Sequence, residues 1–273
     1  MTAGLWVLRQ REAERNAEHA VLAVSSLMCA ASTALTIRWC APMAAMDGMP
    51  MPGGWTMSMA WMRMPGQTWA GAAASLLAMW VVMMVAMMLP SLVPMLGRYR
   101  QAVGTSGTAR LHVLTAVAAV GYFAVWSALG AAVFPFGAAL AVAQMRLPAL
   151  ARAVPIAAGV VVLLAGTVQL TAWKARHLAF GRGTAERVHP SAADARSAWR
   201  HGVCLGIHCN CCCAGLTASF LVLGVMALRV MAVVTAAITA ERLVPAGARV
   251  ARAVGIAGVA AGCVLIARAV GLG

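Results

Sequence analysis

Sulfur is concentrated in two short stretches of this chain. Of 19 methionines, 14 fall between Met43 and Met95, and five of the eight cysteines fall between Cys204 and Cys213. The first stretch reads MAAMDGMPMPGGWTMSMAWMRM and then MWVVMMVAMMLPSLVPM; the second reads CLGIHCNCCC. Thioethers and thiolates are soft donors suited to Cu(I), and thiolates also suit zinc or iron–sulfur clusters. Metal handling is therefore the chemistry to weigh against simple packing.

The cysteine stretch makes the stronger case. Cys209 and Cys213 are four residues apart and Cys209 and Cys212 three apart, so a helix puts all three on one face, with Cys204 and His208 close by. We expect them at the start of a helix, on the cytosolic side, where thiols stay reduced and a helix N-terminus favours the thiolate. Copper is the expected metal; zinc or another soft metal also suits such a cluster. The competing explanation is that cysteine is a small residue fitted into a tight helix contact.

The methionines divide into two groups. Met79, Met83 and Met87, and also Met84 and Met88, are spaced four apart, which stacks their thioethers along one side of a helix with Trp80. Methionine also fills gaps between helices, so packing competes again. The other group, including Met46, Met49, Met51, Met57 and Met59, lies in a segment broken by Pro42, Pro50, Pro52, Pro65 and Gly53–Gly54. This segment shows no apolar partner surface in prospect and resembles the methionine-rich segments of copper-handling proteins, with Asp47 as a harder ligand. Otherwise Trp55, Trp61 and Trp69 mark it as a headgroup-level loop.

Three polar residues complete the set. Gln169, Lys174 and Glu241 lie in or near apolar segments, where unpaired polar groups are expensive. A helix–helix clamp is expected, Glu241 meeting Arg242, Arg229 or Lys174; the functional alternative is a harder metal ligand or a proton carrier. No Ser/His/Asp arrangement, phosphate loop or zinc-hydrolase motif is present, so no catalytic residue is assigned and the chain is not expected to be an enzyme by itself.

The elements that must position these residues belong to a membrane protein. The chain is 62% hydrophobic and 10% charged, with mean hydropathy +0.84. Soluble domains carry roughly 25% charged residues. Apolar runs long enough to span a bilayer lie near 20–38, 69–96, 111–133, 153–173, 207–227, 229–245 and 252–270. The run at 229–245 is weakened by Arg229, Glu241 and Arg242, so the expected fold is all-α, a polytopic bundle of six or seven transmembrane helices.

With the N-terminus inside, fifteen Lys and Arg face the cytosol against six outside. That asymmetry places the chain in the bacterial inner membrane with a cytosolic N-terminus, and it accounts for most of the +14 charge. Nucleic-acid binding is excluded as a reading, since no soluble basic face is available; membrane lipid is the expected surrounding.

Residues 1–19 read as a cytosolic amphipathic segment and not as a cleaved signal peptide. Residues 20–273 read as one membrane domain with a methionine-rich outer loop at 42–68 and a cytosolic loop at 174–201. The loop is expected to hold a short helix near 190–200 capped by Ser191, and the outer connection 134–152 an interfacial helix. Pro90 and Pro94 are expected to kink or end their helix.

Four ordered pieces carry a family resemblance. MMVAMMLPSLVP, from Met83 to Pro94, is similar to an MMxAMMxPxxxP signature. Gly166, Gln169 and Lys174 fit AGxYQxxxxK; Gly202, Gly206, Cys209, Cys212 and Cys213 fit GxxxGxxCxxCC; Met226, Glu241 and Pro245 hold matching positions further on. Together they resemble a bacterial family of predicted metal-binding integral membrane proteins of unassigned function, domain of unknown function family 2182. The chain departs from it in having Val168 for an aromatic residue, His177 where cysteines follow the lysine, and Ala214 for a tryptophan. The resemblance implies a multi-helix membrane fold with a metal site.

The function expected is handling or conducting of Cu(I) by Met/Cys ligand exchange. The alternative is a structural or assembly subunit of a larger membrane metalloenzyme complex, with other subunits as partners and no transport of its own. A redox or heme-associated role is weaker, because histidines are scarce in the helices.

Overall fold

The computed structural model describes residues 2–45, 48–63, 66–104, 107–182 and 194–271, and the backbone alone at 2–14, 16–18, 43–45, 59, 108 and 180–182. In order the elements are α1 (Thr2–Ala45), β1 (Met49–Met51), β2 (Trp55–Met57), a 3-10 turn (Met59–Trp61), α2 (Trp69–Val103), α3 (Thr108–Arg146), α4 (Pro148–Gln169), α5 (Ala172–Arg182), α6 (Ala195–Gly224), α7 (Leu228–Leu243) and α8 (Gly247–Ala269). The fold is an all-α helical bundle. Among the described residues six helices are long and apolar enough to cross a membrane: α1 over His19–Pro42, α2, α3, α4, α6 and α8. The seventh expected run is α7, whose 16 residues reach only about 24 Å at 1.5 Å per residue.

Helices here outrun the sequence signals that should stop them. α1 continues unbroken from Thr2 through the expected first span and past Pro42. α2 passes both Pro90 and Pro94. A proline inside a helix removes one backbone donor and strands the carbonyl four residues earlier. In α2 Pro90 strands the carbonyl of Ala86, and the Cys29 thiol of α1 donates to it at 3.8 Å. The same device recurs in α4, where Pro155 strands the Ala151 carbonyl and the Trp55 indole N–H donates to it at 2.8 Å. Tertiary donors thus answer the carbonyls stranded by Pro90 and Pro155.

The outer connection differs from expectation. Instead of an interfacial helix at 134–152, α3 runs on to Arg146 and a single extended residue, Leu147, turns the chain into α4 at Pro148. Packing explains the extension: Trp61 lies against the bare backbone of Gly137, and Ala141 is buried under the hairpin.

Inside a bilayer, helices gain little from hydrophobicity and associate through close packing at small residues. Two pairs show this. α4 and α8 run antiparallel: a Cβ on Gly166 would stand 2.5 Å from the backbone N of Val259, and Gly159, Gly255 and Gly262 are similarly crowded by the facing helix. α3 and α6 run parallel, with Gly202 seated on the Ala118 carbonyl and Gly206 on that of Tyr122. The main core is filled from α2, which packs on α1, α3 and α7; its Trp80 lies on Gly130 of α3 and donates its indole N–H to the Trp126 carbonyl at 2.8 Å.

The methionine-rich loop also proves structured. β1 and β2 pair antiparallel, Met49 opposite Met57 and Met51 opposite Trp55, around a turn at Gly53 and Gly54, whose φ of 107° and 75° favours glycine. All four paired side chains lie on one face. Met51 and Met57 are buried against Ala141 and Ala151, so an apolar partner surface exists after all, made by the extended end of α3 and the start of α4.

Candidate metal centre

The cysteine cluster sits in the middle of α6. Asp194 caps that helix, its carboxylate accepting from the Ser197 backbone N–H at 2.9 Å while the Ser197 hydroxyl approaches the Asp194 backbone in return, a capping box. Ser191, expected as a cap, lies outside the described residues. Because the cap is at Asp194, Cys209 lies nearly four turns inside the helix, by about 3.6 residues per turn. The thiols therefore do not draw on first-turn backbone N–H groups, and their polar partners are side chains from neighbouring helices.

The i, i+3, i+4 spacing does put Cys209, Cys212 and Cys213 on one buried face. From α3, the Tyr122 hydroxyl donates to Sγ of Cys209 at 2.8 Å. From α7, Arg242 donates through Nη2 to Sγ of Cys213 at 3.6 Å and through Nη1 to Sδ of Met95 at 3.7 Å. Beside them a cavity of about 20 Å³, room for one water-sized species, is lined by Met95, His177, His208, Cys209, Cys212 and Arg242. Four helices, α2, α5, α6 and α7, thus deliver sulfur, imidazole and guanidinium to one small space.

The histidines approach it from two sides. His208 Nδ1 is 2.9 Å from the Cys204 carbonyl, which makes it the protonated nitrogen and puts the lone pair on Nε2. His177 Nδ1 contacts the Trp173 carbonyl at 3.0 Å in the same manner, and the two imidazole centroids are 6.0 Å apart. Cys204 is exposed and meets the site only through His208, 3.6 Å from its Nδ1.

The methionine stripe is inside the bundle. Met83, Met84, Met87 and Met88 are each 2% exposed or less, packed with Trp80, and Met95 is the stripe member that lines the cavity. At the far end, Met49, Met51 and Met57 share the hairpin face. Met46 lies outside the described residues, and Met59 is described in its backbone only.

The polar trio is assembled next to the cysteines. Lys174 Nζ meets Glu241 Oε2 at 2.6 Å, each side chain 1% exposed. Gln169 Nε2 donates to Glu241 Oε1 at 2.7 Å, and Lys174 Nζ donates to the Cys212 carbonyl at 2.8 Å. Neighbouring Arg242 turns to the sulfurs.

Among the described residues no three His, Cys, Asp or Glu side chains converge as a group able to hold a metal ion. A tetrahedral zinc set of four N, O or S ligands is thus not assembled there. What the cavity offers is thiols supplemented by the thioether of Met95, a soft set of the kind that selects Cu(I). Sequence reading had not joined Met95, Arg242 and Tyr122 to the cysteines. A faint signal existed: the chain has two tyrosines, and both turn to α6, Tyr122 to Cys209 and Tyr99 stacked on His201 at 4.8 Å.

A family model described as PpoB2, copper chaperone, matches residues 77–265. The matched span runs from α2 into α8 and includes the methionine stripe, the cysteines and the polar trio. It supports the metal-related part of the resemblance seen in the sequence and specifies copper; the domain-of-unknown-function label is not part of it. No curated protein and no solved structure matches the chain. The chain belongs to the PpoB2 family of copper chaperones.

Proposed function

We propose that this protein is a membrane-embedded Cu(I) chaperone whose exchange site is the cavity at Cys209 and Cys212. The observation that carries the reading is that those thiols, the Met95 thioether and two imidazoles all border one cavity with room for a single small species, without being drawn together as a ligand set. Copper there can pass from one soft donor to the next by ligand exchange, with Cys213 and the α2 methionines adjoining. The excess of Lys and Arg on one set of connections supports a bacterial inner membrane, a cytosolic N-terminus, and the cysteine site at the cytosolic end.

A chaperone hands its metal to another protein. The family description therefore also favours delivery to an apo-metalloenzyme within a membrane complex, with no net movement of copper across the bilayer. Purification from copper-supplemented cells, with metal analysis of the wild type and of Cys209→Ser/Cys212→Ser/Cys213→Ser, tests the reading. Bound copper that falls sharply in the variant is expected. No copper above background in the wild type would sink it. Copper uptake by vesicles holding the protein alone distinguishes conduction from delivery.

A further inference from the structure

The exchange cavity carries a fixed positive charge. Two guanidiniums border it, Arg98 of α2 and Arg242 of α7, together with the imidazoles of His177 and His208. Among the described residues no Asp or Glu lines it. Glu241, next to Arg242 in sequence, is engaged by Lys174 and Gln169. A guanidinium stays protonated at any pH a cell reaches, so the charge is permanent. Arg176, exposed beside His177, extends the same sign over the surface.

The cavity also has an outside and an inside. Leu243, one of its lining residues, is 47% exposed, and Arg98 and both histidines are half-buried. Cys209 and Cys212 are 1% and 3% exposed. Arg98 and the imidazoles thus form the mouth, and the thiols lie behind them.

We infer that this cavity receives copper as an anionic Cu(I) thiolate complex, and that Arg98 at the mouth recognises the carrier. The inference rests on the exchange-site reading and names the form in which that site takes its metal.

Charge is the first support. A bare Cu⁺ approaching the mouth meets two fixed charges of its own sign. A two-coordinate Cu(I) bis-thiolate has a single negative charge and is drawn in. A cleft lined by one sign of charge raises the on-rate of oppositely charged ligands by about 10–10³.

Size is the second. The space is about 20 Å³, room for one water-sized species. A thiolate complex therefore cannot enter whole. The metal passes inward as its carrier is shed, and the body of the carrier stays at the mouth, beside Arg98.

The third is the chemical balance of the exchange. A Cu(I) bis-thiolate and two protonated site thiols give a Cu(I) bis-cysteinate and two molecules of carrier thiol. Two copper–sulfur bonds form as two break, and each cysteine proton leaves on a departing carrier thiolate. Copper stays Cu(I), and the single negative charge is preserved, opposite the Arg242 guanidinium. The carrier thus supplies the base that the cysteines need.

The test presents Cu(I) to the full-length protein in detergent, in an excess of one of three thiols that differ in the charge of the tail. Mercaptopropionate, mercaptoethanol and cysteamine give bis-thiolate complexes that run from strongly negative through singly negative to positive. Loading is followed by rapid separation and metal analysis. At low salt it should be faster from mercaptopropionate than from cysteamine by about tenfold or more, with mercaptoethanol between them, and salt should shrink the ratio toward one. Arg98→Gln should reduce the ratio several-fold, and Arg98→Lys, which keeps the charge, should restore it; thermal melts of both variants check the fold. Equal rates from the three carriers, a ratio indifferent to salt in the wild type, or a ratio that Arg98→Gln leaves untouched overturns the inference while the exchange site stands. A wild type that loads copper from none of the three overturns the chaperone reading itself.

Discussion

The guanidinium of Arg242 donates to Sγ of Cys213 at 3.6 Å, and its other arm reaches Sδ of Met95 on a different helix. A fixed cation thus sits between two of the softest donors in the molecule. Two unit charges about 4 Å apart interact by about 4 kcal/mol at an effective dielectric of 20. Cu(I) held on two deprotonated thiols forms a unit of charge −1, which the guanidinium attracts, and that favours retention.

Arg242→Gln should therefore speed the loss of bound Cu(I) to a chelator by about tenfold or more, since about 1.4 kcal/mol corresponds to each factor of ten. Stopped-flow capture of copper from the loaded protein measures it. Slower loss in the variant would instead give the guanidinium an expelling role. Arg242→Lys keeps the charge but cannot fork to both sulfurs, and should fall between the two.

The Lys174–Glu241 pair is almost fully buried, so removing one partner leaves an uncompensated charge. Glu241→Gln or Lys174→Met should destabilise the protein by about 3 kcal/mol. Replacing both with Met should recover part of the loss. Thermal melts in detergent compare the three; equal destabilisation by the single and double variants would show that the pair acts independently of its charge.

Close helix contact gives a paired prediction. Gly202→Ala places a Cβ into the Ala118 carbonyl and must push α6 away from α3, which also separates Tyr122 from Cys209. Overpacking of this kind costs about 1–3 kcal/mol, and copper occupancy should fall with it. Gly97→Ala, where nothing lies within 4 Å, should be neutral or stabilising by about 0.5–1 kcal/mol through helix propensity.

At the start of α6, the hydrogen bonds from Ser197 hold the Asp194 carboxyl below its ordinary value of 3.8. A depressed acid contributes stability above its unfolded value and loses it as pH falls through the folded one. The protection of amides 195–198, relative to their intrinsic exchange rates, should accordingly fall as the pH falls below about 4 in the wild type, and should be flat in Asp194→Asn, which caps without titrating. A parallel fall in both proteins would assign the opening to other groups.

Much of the bundle is written in hydropathy. The apolar runs locate the six long helices, and the four-residue spacing of Met79, Met83 and Met87 correctly places them on one buried face. The helix ends are less legible. Pro90 reads locally as a break and Pro155 lies inside an apolar run, yet the donors that answer their stranded carbonyls, Cys29 and Trp55, are 57 and 96 residues from Ala86 and Ala151. No local window contains that information. The start of α6 could have been read, since Asp194 and Ser197 have capping-box spacing; placing it there would have put the cysteines in mid-helix from the outset. Glu241 had three basic partners in prospect, and only the packing of α5 against α6 and α7 selects Lys174.

The α3–α6 contact carries a consequence for sliding motion. Gly202 and Gly206 are four residues apart, and so are Cys209 and Cys213. A shift of α6 by one turn, about 5.4 Å, that brought Cys213 to Tyr122 would set Gly206 on the Ala118 carbonyl but Asn210 on that of Tyr122, where the backbones leave no room for a side chain. The paired glycines therefore admit one register and refuse the next. The Lys174 ammonium on the Cys212 carbonyl, held in place by Glu241, ties α6 in that same setting. The glycine seat acts as a detent that fixes which cysteine the tyrosine meets.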